Sequence, residues 1–189
     1  MTIALDTVPH RVPGRLIWDP NTGALGTSPH GGTVLGATVT GLLLHLRLLV
    51  AEDRARVERG RVFEATFRDV DVELETVLSD WTPTSLGAAL PGGMVTTNAG
   101  NAELRVPGSL LPGAWLAGSA GRLLFEPDDA TNHDYVLLRK ALCVEVQEIH
   151  LGAEDPRVLR LRFRGLPDTA FTTATEQVLI QARKARITV

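Results

Sequence analysis

Between Arg68 and Pro83 the chain reads R-D-V-D-V-E-L-E-T-V-L-S-D-W-T-P. Asp69, Asp71, Glu73 and Glu75 take every second position, with Val70, Val72 and Leu74 between them. A period of two marks a β-strand, whose successive side chains point to opposite faces. A helix would scatter the same acids around its circumference. This segment is therefore expected to be a strand with a wet, acidic face and an apolar face turned inward.

The stretch ends in a helix start. Thr82 suits the N-cap, where its hydroxyl accepts from an orphan backbone N–H. Pro83 falls at the first helical position, where its missing N–H costs nothing. Trp81 before the cap and Leu86 inside the helix have the spacing of a hydrophobic staple. Leu86, Ala89 and Leu90 share one face, and Pro91-Gly92-Gly93 closes a helix of about two turns over residues 83–90.

Elsewhere the pattern is β-rich. Thr33–Val50 sets Leu44, Leu46 and Leu48 against His45, Arg47 and Leu49, with Gly36 and Gly41 at bends or bulges. Residues 51–60 are charged and close on Gly60, which reads as a hairpin arm. A-E-L-R-V, Arg122–Glu126 and Tyr135–His150 are further strands, and L-G-A-E-D-P at 151–156 is a hairpin turn. In R-V-L-R-L-R-F-R, Leu159, Leu161 and Phe163 alternate with Arg160, Arg162 and Arg164. Short strands are expected in V-L-I-Q-A and R-I-T-V near the C-terminus. Residues 1–32, rich in Pro, Gly, Thr and Asn, carry no period and read as an extended arm that is irregular on its own. The expected fold is mainly β: an antiparallel sandwich or small barrel of two packed sheets, one short helix and long arms, with residues 33–189 as a single domain.

Composition narrows the function. The net charge of −3 lacks the basic excess of a dedicated nucleic-acid binder. Cys143 is the only cysteine, so no intramolecular disulfide or cysteine-based zinc cluster can form. The N-terminus shows no basic region followed by an apolar run, and no run approaches the roughly 20 apolar residues of a spanning helix. The expectation is a soluble protein made without export, with no membrane partner. The chain has none of the nucleophile-elbow, phosphate-loop, zincin or dinucleotide signatures, and its five histidines are scattered. No catalytic residue, cofactor site or metal site is assigned. His133 and Asp134 beside Asp128 and Asp129 read as a solvated turn, and Cys143 as a buried, inert thiol.

The acidic stripe has two readings: a solvated sheet face, or a surface that repels something negative. Like charges at steps of about 6.8 Å along one face strain one another unless a counter-stripe answers them. Arg160, Arg162 and Arg164 can supply it, within one chain or across a subunit boundary. Exposed pairs of this kind contribute on the order of 0.2–1 kcal/mol each, so their better use is setting register and partner choice.

Two segments carry a resemblance. D-W-T-P-T-S-L-G-A-A-L-P-G-G after an acidic strand resembles the T-P-x-x-L-x-x-A-L junction of phage major tail proteins. A-L-C-V-E-V-Q-E-I-H-L-G-A-E-D-P-R-V-L-R-L-R-F-R-G-L-P-D resembles the closing hairpin of that family, which ends in F-x-x-L-x-D. The resemblance implies a tail tube fold shared with contractile tails and type VI secretion tubes. It implies hexameric rings that stack into the conduit for DNA ejection, in the virion tail, after assembly in the host cytoplasm. Partners would be copies of the chain, a tape measure protein and a tail terminator. DNA would cross the lumen without specific binding. On this reading Asp69, Asp71, Glu73 and Glu75 face the lumen, although the two stripes could be swapped. Arg160, Arg162 and Arg164 then form an intersubunit or inter-ring surface, with Glu145, Glu148 and Glu154 as partners. Residues 51–60 and 92–121 become intersubunit loops. Another ring-forming virion part, such as a terminator or head–tail joining protein, and a monomeric β-sandwich binding module are the alternatives.

Overall fold

The computed structural model describes residues 2–10, 12–20, 32–53, 64–106, 116–149, 158–168 and 179–182. In chain order these form β1 (Thr2–His10), β2 (Gly14–Trp18), β3 (Thr33–Asp53), β4 (Glu64–Ser79), α1 (Pro83–Ala89), β5 (Met94–Asn98) and β6 (Asn101–Arg105). Then come a 3-10 turn (Leu116–Ser119), β7 (Gly121–Pro127), β8 (Tyr135–Ile149), β9 (Leu159–Gly165) and β10 (Leu179–Ala182). The protein is mainly β, with one short α-helix among the described residues.

Six strands close on themselves. β2 pairs with β7, β7 with β8, β8 with β9, β9 with β4, β4 with β3, and β3 with β2, all antiparallel. The expected pair of packed sheets is thus one sheet rolled into a barrel. Closure depends on β3, which is long enough to pair along both edges. β1 follows β2 along the same edge of β3, from Thr2 opposite Leu49 to His10 opposite Leu42. β10 adds to β8 opposite Tyr135–Leu138, and β5 and β6 form a separate hairpin.

The barrel interior follows from alternation. Val72, Leu74 and Leu78 of β4 point inward with Leu159, Leu161 and Phe163 of β9, and all are buried. Leu16 and Trp18 of β2, Leu123 and Phe125 of β7, and Val136 and Leu138 of β8 complete the same cluster. Trp18 reaches across to Phe163 on the far side of the ring, with centroids 6.1 Å apart and planes tilted by 34°. A six-strand barrel is narrower than the eight-strand size whose interior side chains just fill. It is a packed core and not a pore.

The segment read as an irregular arm behaves otherwise. β2 is a full barrel strand, with Leu16, Ile17 and Trp18 buried, and β1 is a paired strand. Their short apolar runs were hidden by the flanking prolines and glycines. Pro9 sits within β1, whose second edge has no strand among the described residues, and proline is tolerated in edge strands. β3 and β4 stay paired as far as Asp53 opposite Glu64, and residues 54–63, which hold most of the arm expected at 51–60, lie outside the described residues. So do 151–156 and 183–189, where a turn and a last strand are expected.

The helix forms as its cap residues predict. Thr82 Oγ1 accepts from the Ser85 backbone N–H at 3.1 Å, and Ser85 Oγ accepts from the Thr82 N–H at 2.9 Å, a reciprocal capping box. Leu86 and Ala89 are buried, and Trp81 and Leu90 pack against the same core. On its other side α1 carries the β5–β6 hairpin at very close range. A Cβ at Gly87 would lie 2.4 Å from Val95 Cγ2, so any larger residue would force the hairpin side chains to shift. The hairpin turns through Ala99 (φ 49°) and Gly100 (φ 85°) between paired Asn98 and Asn101, the geometry of a type I′ turn.

Two outcomes test these local arguments. Thr82→Ala should lower stability by about 1 kcal/mol in denaturant unfolding, while Thr82→Ser retains it. Ala99→Asn should stabilise the protein by about 0.5–1 kcal/mol, because asparagine accepts positive φ at less cost than alanine.

Candidate functional site

The barrel has two unlike outer faces. Across β2, β7 and β8 several outward side chains are as hidden as the interior. Ile17, Leu124 and Leu137 form an apolar row, each no more than 1% exposed, joined by Tyr135 and packed against by Ala130. Beside this row the Arg15 Nε donates to Glu126 Oε2 at 2.9 Å, and the Tyr135 hydroxyl donates to Glu126 Oε1 at 3.5 Å. Burial and the adjacent Glu126 carboxylate raise the Tyr135 pKa.

The opposite face, across β3, β4, β9 and β8, holds the charges singled out in the sequence. Register sets them in rows. Arg47 stands opposite Asp71, and His45 opposite Glu73. Glu73 stands opposite Arg164, Glu75 opposite Arg162, and Val77 opposite Arg160. Arg162 in turn faces Glu145, and the backbone of Arg160 pairs with Glu148. The two stripes are therefore cross-strand neighbours on one face of one chain. This is the counter-stripe within one chain, one of the two placements the sequence left open.

Ion pairs run across these rows. Arg164 Nε lies 3.1 Å from Asp71 Oδ1, and Arg162 Nη2 lies 3.2 Å from Glu145 Oε2. His45 Nε2 lies 3.8 Å from Glu75 Oε1. The Asp71 side chain is only 16% exposed, so its pairing counts for more than that of a free surface acid. Among the described side chains, Arg47, Arg160, Arg162 and Arg164 share this face with the carboxylates of Asp71, Glu73, Glu75 and Glu145. Asp69 is placed by its backbone alone, opposite Leu49. Glu154 lies outside the described residues.

Bulges shape this face: those of β8 left no trace in the sequence, whereas the one in β3 was marked by Gly41. Between Cys143 and Glu145, and again between Val146 and Glu148, β8 carries an extra residue relative to β9. The first of these bulges moves Glu145 off the side shared with buried Cys143 and aims it at Arg162. On β3, three residues (39–41) stand opposite the single Val77, because pairing jumps from Thr38–Leu78 to Leu42–Thr76. Gly41 takes φ 83° at this bulge, and its carbonyl accepts from the Thr76 hydroxyl at 3.3 Å. The bulge opens a recess of about 360 Å³ between Thr40, Leu43, Glu75, Val77 and Arg160.

Catalytic chemistry finds little here. Cys143 is buried in the barrel, and burial pushes its thiol up to about 11, so it holds its proton at neutral pH. At the 128–134 turn, Asp129 accepts from the backbone N–H groups of Thr131 and Asn132 and from the Asn132 side chain at 2.8 Å. The Asn132 side-chain hydrogen bond chiefly lowers the Asp129 pKa. That carboxylate is spent on shaping the turn. Among the described residues no three His, Cys, Asp or Glu side chains converge to hold a metal, and no helix is long and apolar enough to cross a membrane.

No protein-family model matches this chain, and no curated protein is significantly similar to it.

Arg162 sits between Glu75 and Glu145. Arg162→Glu would set three carboxylates in one row and should cost about 1–2 kcal/mol in chemical unfolding. Adding Glu145→Arg should recover part of that loss. Equal stability of both variants and the wild type would mean that the rows carry no energy.

Proposed function

We propose that this chain is a self-assembling structural subunit of the phage tail tube kind, which forms hexameric rings that stack around a conduit. One observation carries this reading. The β1–β3–β4 sheet runs on past the closed barrel, and among the described residues no strand covers the outer edge of β1 or the edge of β4 before Val72. Uncovered edges present rows of backbone donors and acceptors that pair readily with another chain. A head-to-tail contact of suitable rotation closes such edges into a ring.

Three further features agree. The residues that resemble the tail-protein junction, Trp81–Leu86, form the capped helix start beside the barrel. The residues that resemble the closing hairpin include β8 and β9, which pair antiparallel. Because the barrel is packed solid, any bore must lie between copies. If the charged face looks into that bore, acids and arginines line it together. Arginines interleaved with acids then offer a polyanion no bare basic surface to hold it. The resemblance alone supplies the tape measure protein, the terminator and the virion setting.

The test is negative-stain microscopy and light scattering of the purified chain over a wide concentration range. Rings and hollow rods with a central bore are expected. Rings that never stack would identify a terminator-like part instead. A compact monomer at every concentration, with no bore in any assembly, would overturn the proposal.

A further inference from the structure

On the covered outer face of the barrel, at the end away from Arg15 and Glu126, three cations gather at one irregularity. β7 and β8 pair at Leu123–Leu138 and next at Gly121–Ala141. Arg122 is thus opposed by two residues, Arg139 and Lys140. Without this bulge, alternation would send Arg139 and Lys140 to opposite faces. With it, Arg122, Arg139 and Lys140 line a single recess of about 210 Å³ together with Asp19 and Asp168.

The recess is built from three separate parts of the chain. Asp19, just past β2, donates its backbone N–H to the Arg122 carbonyl at 2.8 Å. Its Oδ1 accepts from the Arg122 N–H at 2.9 Å, so this carboxylate is engaged by backbone. Leu166 donates to the Lys140 carbonyl at 2.7 Å and brings Asp168 to the rim. Arg139 is only 6% exposed, and both it and Asp168 already have interaction partners. Three cations against two acids leave a local positive excess in a chain whose net charge is −3.

We infer that this recess is an oxyanion site that takes one phosphate group, with Arg122 and Lys140 as its rim donors and Arg139 as the buried charge behind them. The arginine fork suits two oxygens of a tetrahedral oxyanion, and lysine adds a mobile point charge. The phosphate can come from the free ion or from a nucleic-acid backbone, since both present the same oxygens. The inference stands apart from the assembly proposed above, because every residue named belongs to one chain.

The experiment follows backbone amide shifts of the full chain on titration with sodium phosphate, against sodium chloride at matched ionic strength. A second arm uses a short single-stranded oligonucleotide. Saturable shifts at 121–123, 138–141, 166 and 168 with phosphate and not with chloride are expected. The double variant Arg122→Ala/Lys140→Ala should bind at least ten-fold more weakly. Lys140→Glu, a single change at a half-exposed site, should do the same if the double variant fails to fold. Competition by the oligonucleotide would identify backbone phosphate as the source, and its absence would leave the free ion. Non-saturating shifts, equal shifts with chloride, or unchanged affinity in the variants would overturn the inference.

Discussion

Everything in this fold hangs on β3 being hydrogen-bonded along both edges. One edge runs against β4 from Ala37 to Asp53, and the other meets β2 and then β1. A sheet becomes a barrel only when one strand accepts neighbours on both sides and so removes the last open edge. β3 does this at Ala37 and Thr38, which pair with both β2 and β4, and beyond the bulge it becomes the centre of the β1–β3–β4 extension. The break in register at residues 39–41 marks the change of task, since a bulge bends a strand and increases its local twist.

The charges act on the same framework. A one-residue slip between β4 and β9 would carry Asp71, Glu73 and Glu75 into the core and bring Val72 and Leu74 to the surface, so burial alone already specifies the register. The arginines of β9 reinforce it, because the native register sets each opposite a β4 residue of the outer face, two of them acids. The outcome is a barrel with two distinct flanks. One is wet and carries charges of both signs. The other, over β2, β7 and β8, has a second small core, with buried Glu126 and Tyr135 joined by a half-exposed Arg15. Only the first reads as a solvated sheet face in the sequence.

Particular residues show how far local pattern reached. The acidic strand, the arginine strand and the capped helix were legible, because each follows from a period of two or from cap chemistry within a few positions. The glycine at 41 marked a bulge, as its place in an apolar run suggested. β2 was missed, since R-L-I-W is too short to show a period and is set among prolines and glycines. β5 was missed as well: M-V-T-T-N gains its place from the Ala99-Gly100 turn and from lying against Gly87. The β8 bulges left no trace in C-V-E-V-Q-E, where simple alternation puts Glu145 on the wrong side.

The amino-acid order alone decided which residues could share a face, where the helix begins, and that the chain would be built from strands around aliphatic side chains. These are short-range matters, governed by the stereochemistry of neighbouring residues. The tertiary structure decided which faces meet. It closed one sheet in place of two, set the acids beside the arginines, and gathered Arg122, Arg139 and Lys140 at a bulge. Such outcomes depend on pairing between strands far apart in the chain, where a shift of one residue reverses every side chain and no local pattern records the choice.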